Sequence, residues 1–559
     1  MNCFPRSLLN RIPNLPGRFD SESMRYRHLL LSLLIVILSA VRAEATTYTV
    51  KAGGGGDFST IQACAREAEA GDTCVVYAGR YDETPSLKNS GSAGNPITFL
   101  VNSGDCVTVT GFNLNSVRYV TIGTPNAPHC TNGSFSYSGF EITGGQITWR
   151  QINNVIIQNN YVHNTAGLCM KGPGRSFWGA STYVYVLNNI FTVCGTIGAG
   201  LAGGMQIEGD HWLIDGNTFS HLEDGIYLYG AYMVVRNNTF GPLRASDYTT
   251  QHPDGVESTC TRGRDYPLQH MLYENNTTID WGASNAHAFL LRDTENCGQT
   301  SNVIRFSQFI NLGENWISNE SNSTSELIYN NSVVNTQAST TAKEYSDLVF
   351  TQGDSGANVI NNVLVNSWRA ANNDYCLYVD GTSQAGFIEN HNFCFLSGWN
   401  GSWQQPYSGY KYSSSDIFNK DPLFVNPSGD LHLQAGSPAI GTGGPLTAAV
   451  GPGASSTSLT VANAGFFCDG YGLTGVQADW IRIGQSTTVQ ISSVNYSTNV
   501  ITLASPASWS GGASIYLSKN SNGAVVLTGA NPDMGAFPFG STSALPTPLP
   551  PAKLQGNAN

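Results

Sequence analysis

Between Gln151 and Cys394 one short pattern keeps returning: a pair of β-branched, aromatic or long aliphatic residues, a polar stretch carrying an asparagine, then another apolar position. In order it reads IIQNNYV, YVLNNIF, LIDGNTF, VVRNNTF, LYENNTT, VIRFSQF, LIYNNSV, VINNVLV and FIENHNF. Alignment places Asn160, Asn189, Asn217, Asn238, Asn276, Ser307, Asn331, Asn362 and Asn392 at one repeat position, 21 to 38 residues apart. A fixed phrase with a variable spacer marks a coil whose turns share one geometry while their loops differ. Each phrase is a short strand closed by a polar turn, too small to bury anything alone. Stacked at about 4.8 Å on neighbours of its own kind, it is buried. Asparagine tolerates left-handed backbone angles and suits the bend, and stacked asparagines hydrogen-bond to each other as a ladder.

The flanks carry different patterns. Thr47–Val50 reads as a strand, and Ser59 to Gln62 has capping-box form. The segment to Glu69 then sets Ile61, Cys64, Ala65 and Ala68 on one helical face before Ala70 and Gly71 stop it. Such a helix covers the exposed apolar end of a stacked core. From Ala448 to Lys519 apolar and polar residues alternate at period two, which predicts a small antiparallel β module. The fragment from Asn531 to Phe537 reads as the partner of SPAIG at 437–441, so the module interrupts the last coil. The predicted divisions are 1–45, a secretory signal with an extended n-region; 46–445, the coiled domain with its cap; 446–524, the inserted module; 525–540, the return to the last coil; and 541–559, a Pro-rich tail.

The opening YTVKAGGGGDFSTIQACAREAEAGDTCVVYAGRYDE, the repeated NNTF phrases and the closing DPLFVNPSGDLHLQAGSPAIGTGG resemble secreted proteins of the pectin-lyase-like superfamily. The resemblance covers residues 46–445 and 525–538. It implies an all-β protein, a single-stranded right-handed parallel β-helix with an N-terminal capping helix and a small inserted C-terminal β module. The superfamily includes polysaccharide lyases, glycoside hydrolases, epimerases and adhesive or structural members, so the resemblance implies a fold more firmly than a chemistry.

Composition narrows the partners. The 61 glycines, 25 tyrosines and 12% charged residues suit an extended β architecture with many tight turns. A net charge of −12 argues against nucleic acid or an anionic membrane as partner, while local Arg and Lys clusters leave an acidic substrate open. Basic residues from Met24, the apolar run from Leu29 to Ala40 and the small-x-small form at Ala43 to Ala45 predict a secreted or cell-envelope protein. The apolar run is too short to span a bilayer, and no later stretch reaches that length. Of the 12 cysteines Cys3 falls in the predicted signal, and nearest-neighbour pairing of the other 11 gives Cys64 with Cys74, Cys106 with Cys130, Cys169 with Cys194, Cys260 with Cys297 and Cys376 with Cys394, leaving Cys468 alone. No CxxC or CxxH spacing calls for zinc.

Candidate chemistry follows from stacking. Aligning GGMQIE, DGIYLY, DGVEST and HAFLLR makes Met205, Ile226, Val256 and Phe289, then Ile207, Leu228, Ser258 and Leu291, the inward rows. The outward rows are then Gln206, Tyr227, Glu257, Leu290 and Glu208, Tyr229, Thr259, Arg292, preceded by Gly203, Asp224, Asp254, His287. One face thus collects Asp224, Asp254, Glu257, His287 and Arg292 as catalytic candidates, with His252 beside them in HPDG. Glu208, Tyr227 and Tyr229, together with Arg244, Arg262 and Arg264 from the long flanking loops, are candidate substrate-binding residues. Crowded carboxylates cannot all ionise cheaply: either one keeps its proton, or a cation such as Ca²⁺ sits among Asp224, Asp254 and Glu257. Trp281, Trp316, Trp368, Trp399 and Trp403 are further outward aromatics that could stack on sugar rings. The expectation is a monomer that cleaves an extracellular acidic polysaccharide by β-elimination or hydrolysis. Its rival is a non-catalytic glycan-binding or adhesive rod.

Overall fold

The computed structural model describes residues 44–541 apart from 126, 173–180, 196–202, 244–246, 248–252, 260–268, 282–285, 293–297, 299, 313–315, 321, 336–347 and 367–374. Its strands form a parallel β-helix built on a 22-stranded and a 13-stranded sheet. The larger sheet has two faces. Strand Gly203–Asp215 shows the join: its first half pairs with Asp224–Ala231, and its end, Leu213 to Asp215, pairs with Val234–Arg236. The 13-stranded sheet is the third face of each coil. The architecture is the one that the resemblance to the pectin-lyase-like superfamily implies.

The inward rows are as the alignment places them. Met205, Ile226, Val256 and Phe289 are fully buried, as are Ile207, Leu228 and Leu291, and Ser258 is 1% exposed. Each row is extended by strand pairing at one residue per coil.

Between the larger sheet's second face and the 13-stranded sheet runs the asparagine ladder. Asn160 donates its backbone N–H to Oδ1 of Asn189 at 3.0 Å, Asn189 to Asn217 at 2.9 Å, and Asn217 to Asn238 at 2.9 Å. The line continues through Asn276, the Ser307 hydroxyl, Asn331, Asn362 and Asn392, and ends on the carboxyl of Asp416. The left-handed bend belongs to the residue before the ladder position: Asn159, Asn188, Asn237, Asn275, Asn330 and Asn361 all have φ between 51° and 61°. The doubled asparagine therefore divides its work, the first making the corner and the second stacking inside it. In one coil Phe306 takes the corner at φ 52°, ahead of Ser307.

The capping helix spans Ile61–Glu67 and buries Ile61, Cys64 and Ala65. Its N-cap is Thr60, whose hydroxyl accepts from Ala63, and the capping carboxylate comes from Glu83, which receives the N–H groups of Ile61 and Gln62 at 2.7 and 2.9 Å. The box read from Ser59 and Gln62 is thus corrected: the helix starts one residue later and a distant acid completes it.

Residues 447–519 form a six-stranded antiparallel module. Its Leu459, Phe466, Phe467, Ile481, Ile491 and Ile515 pack on Leu213, Val234, Leu272, Val303, Leu327 and Ile360, the outward side chains of the larger sheet's second face. Strands Val234–Arg236, Leu272–Glu274, Val303–Arg305 and Leu327–Tyr329 are consequently buried on both faces. Under the module lies a fully buried ion cluster: Arg305 binds Asp479 through Nη1 and Nη2 at 2.7 and 2.8 Å and Glu274 through Nε at 2.6 Å. Glu274 also accepts from Ser521, and Tyr329 from Arg305.

After the module the chain does not return as a coil strand. Met534 donates to the Ala439 carbonyl, Gly443 to Pro532, and Gly441 to the Asp533 carboxylate, while Asn330 reaches the carbonyls of Asp533 and Gly535. Ala439 and Met534 then pack with Val334, Val363 and Phe393 against the third face.

Among the described residues four disulfides join Cys64 to Cys74, Cys106 to Cys130, Cys169 to Cys194 and Cys376 to Cys394, and Cys468 is a buried free thiol. Cys260 and Cys297 lie outside the described residues, as do the signal segment 1–43 and the tail 542–559. Among the described residues no helix is long and apolar enough to cross a membrane.

Candidate active site

The first face of the larger sheet carries the ionisable groups. Asp224, Asp254 and His287 open the strands Asp224–Ala231, Asp254–Thr259 and His287–Arg292, and Asp254 is the direct cross-strand partner of His287. In the outward row Gln206 pairs with Tyr227, Tyr227 with Glu257 and Glu257 with Leu290; Glu208 pairs with Tyr229, and Thr259 with Arg292.

Strict alternation would put Asp224 on the inward side with Ile226. The intervening glycine breaks the alternation: a Cβ on Gly225 would lie 2.3 Å from the Gly255 carbonyl and 2.8 Å from the core ring of Phe240. Residues 225 and 226 both face the core, and Asp224 falls back beside Tyr227. The Asp-Gly pairs in this region answer a packing limit, not a turn requirement.

The resulting contacts are compact. Tyr227 donates its phenol to Oδ2 of Asp224, and Oδ1 of Asp224 accepts the Asp254 N–H at 2.9 Å. His287 Nδ1 lies 2.8 Å from Oδ1 of Asp254. Arg292 donates to Glu257 at 2.5 Å. Asp254 is 0% exposed and Asp224 5%, while Tyr227 is half-buried and Arg292 keeps 24% of its side chain in solvent. Burial first, and then the neighbouring Asp254 carboxylate, hold Asp224 well above the usual carboxylate range. Burial, and then Asp224, push the Tyr227 phenol upward as well.

Three corrections follow. Asp224 and Asp254 do not form an open floor; they stand behind Tyr227 and His287, which their carboxyl groups orient. Tyr229 is 5% exposed and does not present its ring to solvent. Trp281 and Trp316 are fully buried core residues, whereas Trp399 and Trp403 are half-buried and stack edge to face at 4.9 Å. Glu208 is half-buried in its outward row. His252, Arg244, Arg262, Arg264 and Trp368 lie outside the described residues.

Asp224, Asp254 and Glu257 each offer one oxygen within 4.8 Å of the others. A set of hard oxygen donors at this spacing fits Ca²⁺, which when bound would neutralise a substrate carboxylate nearby.

Sequence reasoning missed Lys171. Strand Met170–Lys171 pairs Met170 with Met205 and Lys171 with Gln206, which places an ammonium in the row of Tyr227 and Glu257. The signal was present: Met170 repeats the inward methionine of GGMQIE, but the strand is only two residues long.

No family model matches this chain. A stretch of 64 residues is 34% identical to the uncharacterized protein YwoF of Bacillus subtilis (strain 168), spanning 11% of this chain and 14% of that relative's length. Among solved structures, an alginate lyase from Paenibacillus sp. str. FPU-7 aligns over 62% of this chain and 99% of its own, at 14% identity and a TM-score of 0.35. XylC in complex with xylose aligns over 88% of this chain and 98% of its own, at 11% identity and a TM-score of 0.44. PfbA, a surface adhesin of Streptococcus pneumoniae, aligns over 60% of this chain and 85% of its own, at 12% identity and a TM-score of 0.37. Likeness at this level carries no functional argument, so function is argued from the residues of this chain.

Proposed function

We propose that this protein is an extracellular polysaccharide lyase that cleaves a uronate-containing glycan by β-elimination on the first face of the larger sheet. The observation that carries this reading is the layering of the cluster. A glycosidase needs two carboxyl groups that reach the scissile bond. Here Asp224 and Asp254 are buried and occupied by Tyr227 and His287. What stands in front of them is the His287 imidazole, 8% exposed, and the half-buried Tyr227 phenol, a base and an acid of the kind elimination uses.

The roles follow from the contacts. Asp254 accepts from Nδ1 of His287, which leaves Nε2 as the ring's basic nitrogen. Nε2 removes the proton on the carbon beside the uronate carboxylate. The electron pair forms a carbon–carbon double bond as the bond to the leaving sugar oxygen breaks. Tyr227, held in place by the Asp224 carboxyl, gives that oxygen its proton. Arg292, fixed by Glu257, places positive charge beside the substrate carboxylate, whose negative charge grows as the carbanion forms. The four disulfides fit an oxidising, extracellular setting.

The test is product analysis on a panel of polyuronates. The expected result is ultraviolet absorbance from a new double bond at the cleaved chain end. In His287→Ala and Asp254→Asn this signal falls by about 100-fold or more. New reducing ends without a double bond would replace elimination by hydrolysis. Binding without cleavage would favour an adhesive rod.

A further inference from the structure

The outward row of this face is not uniform along the solenoid. Asn113, Thr148, Lys171, Gln206 and Tyr227 occupy successive coils through direct pairing, and all are half-buried. Beyond Tyr227 the row closes: Glu257 is 8% exposed, Leu290 1% and Ser318 0%. A glycan chain lying along this row has its accessible path from the acid cluster toward the N-terminal coils, over Gln206 and then Lys171.

Lys171 is the cation on that path. Among the described residues nothing forms an ion pair or hydrogen bond with its ammonium, whereas Arg292, in the next outward row, is tied to Glu257. Three strand steps separate Lys171 from Glu257, about 14 Å at the usual spacing, the length of a short oligosaccharide. A lysine held in a half-buried row with no acid of its own is a point charge awaiting an anion.

We infer that Lys171 is a specificity-determining residue: it binds the carboxylate of a uronate placed a few sugars from the reacting one, on the N-terminal side of the cluster. It thereby makes the protein prefer acidic chains long enough to reach it. This inference rests on the elimination reading and deepens it.

The experiment uses the full-length protein and oligouronides of increasing length, alongside the same oligomers with their distal carboxylates reduced to alcohols. In the wild type, KM falls once the chain is long enough to reach Lys171, and reduction of the distal carboxylate abolishes that fall. In Lys171→Ala the gain from length shrinks by about tenfold, and Lys171→Arg restores it. Retained disulfides and an unchanged melting temperature establish that the variant is folded. If Lys171→Ala keeps the wild-type dependence on length and charge, this inference fails and the elimination reading stands. A wild-type protein that eliminates no uronide at all overturns both.

Discussion

Two groups of buried charges sit on adjacent faces of the same sheet, and they are resolved in opposite ways. Under the module, Arg305 is surrounded by Asp479, Glu274 and Tyr329, and every carboxylate there accepts from a fixed donor. On the first face, Asp224, Asp254 and Glu257 crowd within 4.8 Å, and burial and then the Asp254 carboxylate push the Asp224 carboxyl well above its ordinary range. The first arrangement is saturated and holds two parts of the chain together. The second is acid-rich and holds a carboxyl whose ionised form burial disfavours, an arrangement that costs stability and makes sense where proton transfer is the purpose.

The largest effect should come from Arg305→Met. It leaves Asp479 and Glu274 buried without their cation and costs about 3–5 kcal/mol, read as a lower urea midpoint and faster proteolysis within residues 446–524. Glu274→Gln should cost about 1–2 kcal/mol in the same assay, since the amide keeps the shape but weakens the bonds to Arg305 and Ser521. The first-face cluster should respond with the opposite sign. Asp224→Asn removes a carboxyl that the fold prefers neutral and should raise stability by about 1 kcal/mol while reducing turnover. The pH dependence carries the same sign. A carboxyl whose value is raised on folding contributes stability that is fully present below the ordinary carboxylate range and is lost as pH rises through the raised value. The wild type should therefore lose stability on going from acid to alkaline pH more steeply than Asp224→Asn, measured by thermal unfolding across that range. Equal slopes would mean that the two clusters are alike after all.

The coil was legible because its repeat is enforced by stacking: a side chain at the position of Asn217 must meet the coils before and after it, so the residue recurs. The same register placed Tyr227 over Glu257 and Asp254 over His287. Depth was not legible. Asp224 and Asp254 each precede a glycine whose Cβ position is blocked by the carbonyl of the next coil, and alternation alone cannot report that crowding. The covering of the second face was written in the sequence in another form. Runs such as VVR, LYE and VIR set an apolar residue on each side of the strand, Val234 opposite Val235 and Leu272 opposite Tyr273, the pattern of a strand buried on both faces. What covers them could not be read, because Arg305 and Asp479 are 174 residues apart and nothing local links them. Lys171 was missed because a two-residue strand gives too little pattern to align.

The asparagine row has a direction. Each member hands its backbone N–H to the next and offers its own side-chain oxygen to the one before, until Asp416 receives from Asn392. The Asp416 carboxyl is held up to about 9, first by burial and then by the neighbouring Glu389 carboxyl. Any whole turn inserted inside this queue would both give and take, leaving no orphan group behind, whereas a turn appended past Asp416 would meet a terminus. The length of the rod, and with it the reach of whatever lies along its side, can therefore change in evolution or by engineering only in units of a complete turn, and from within.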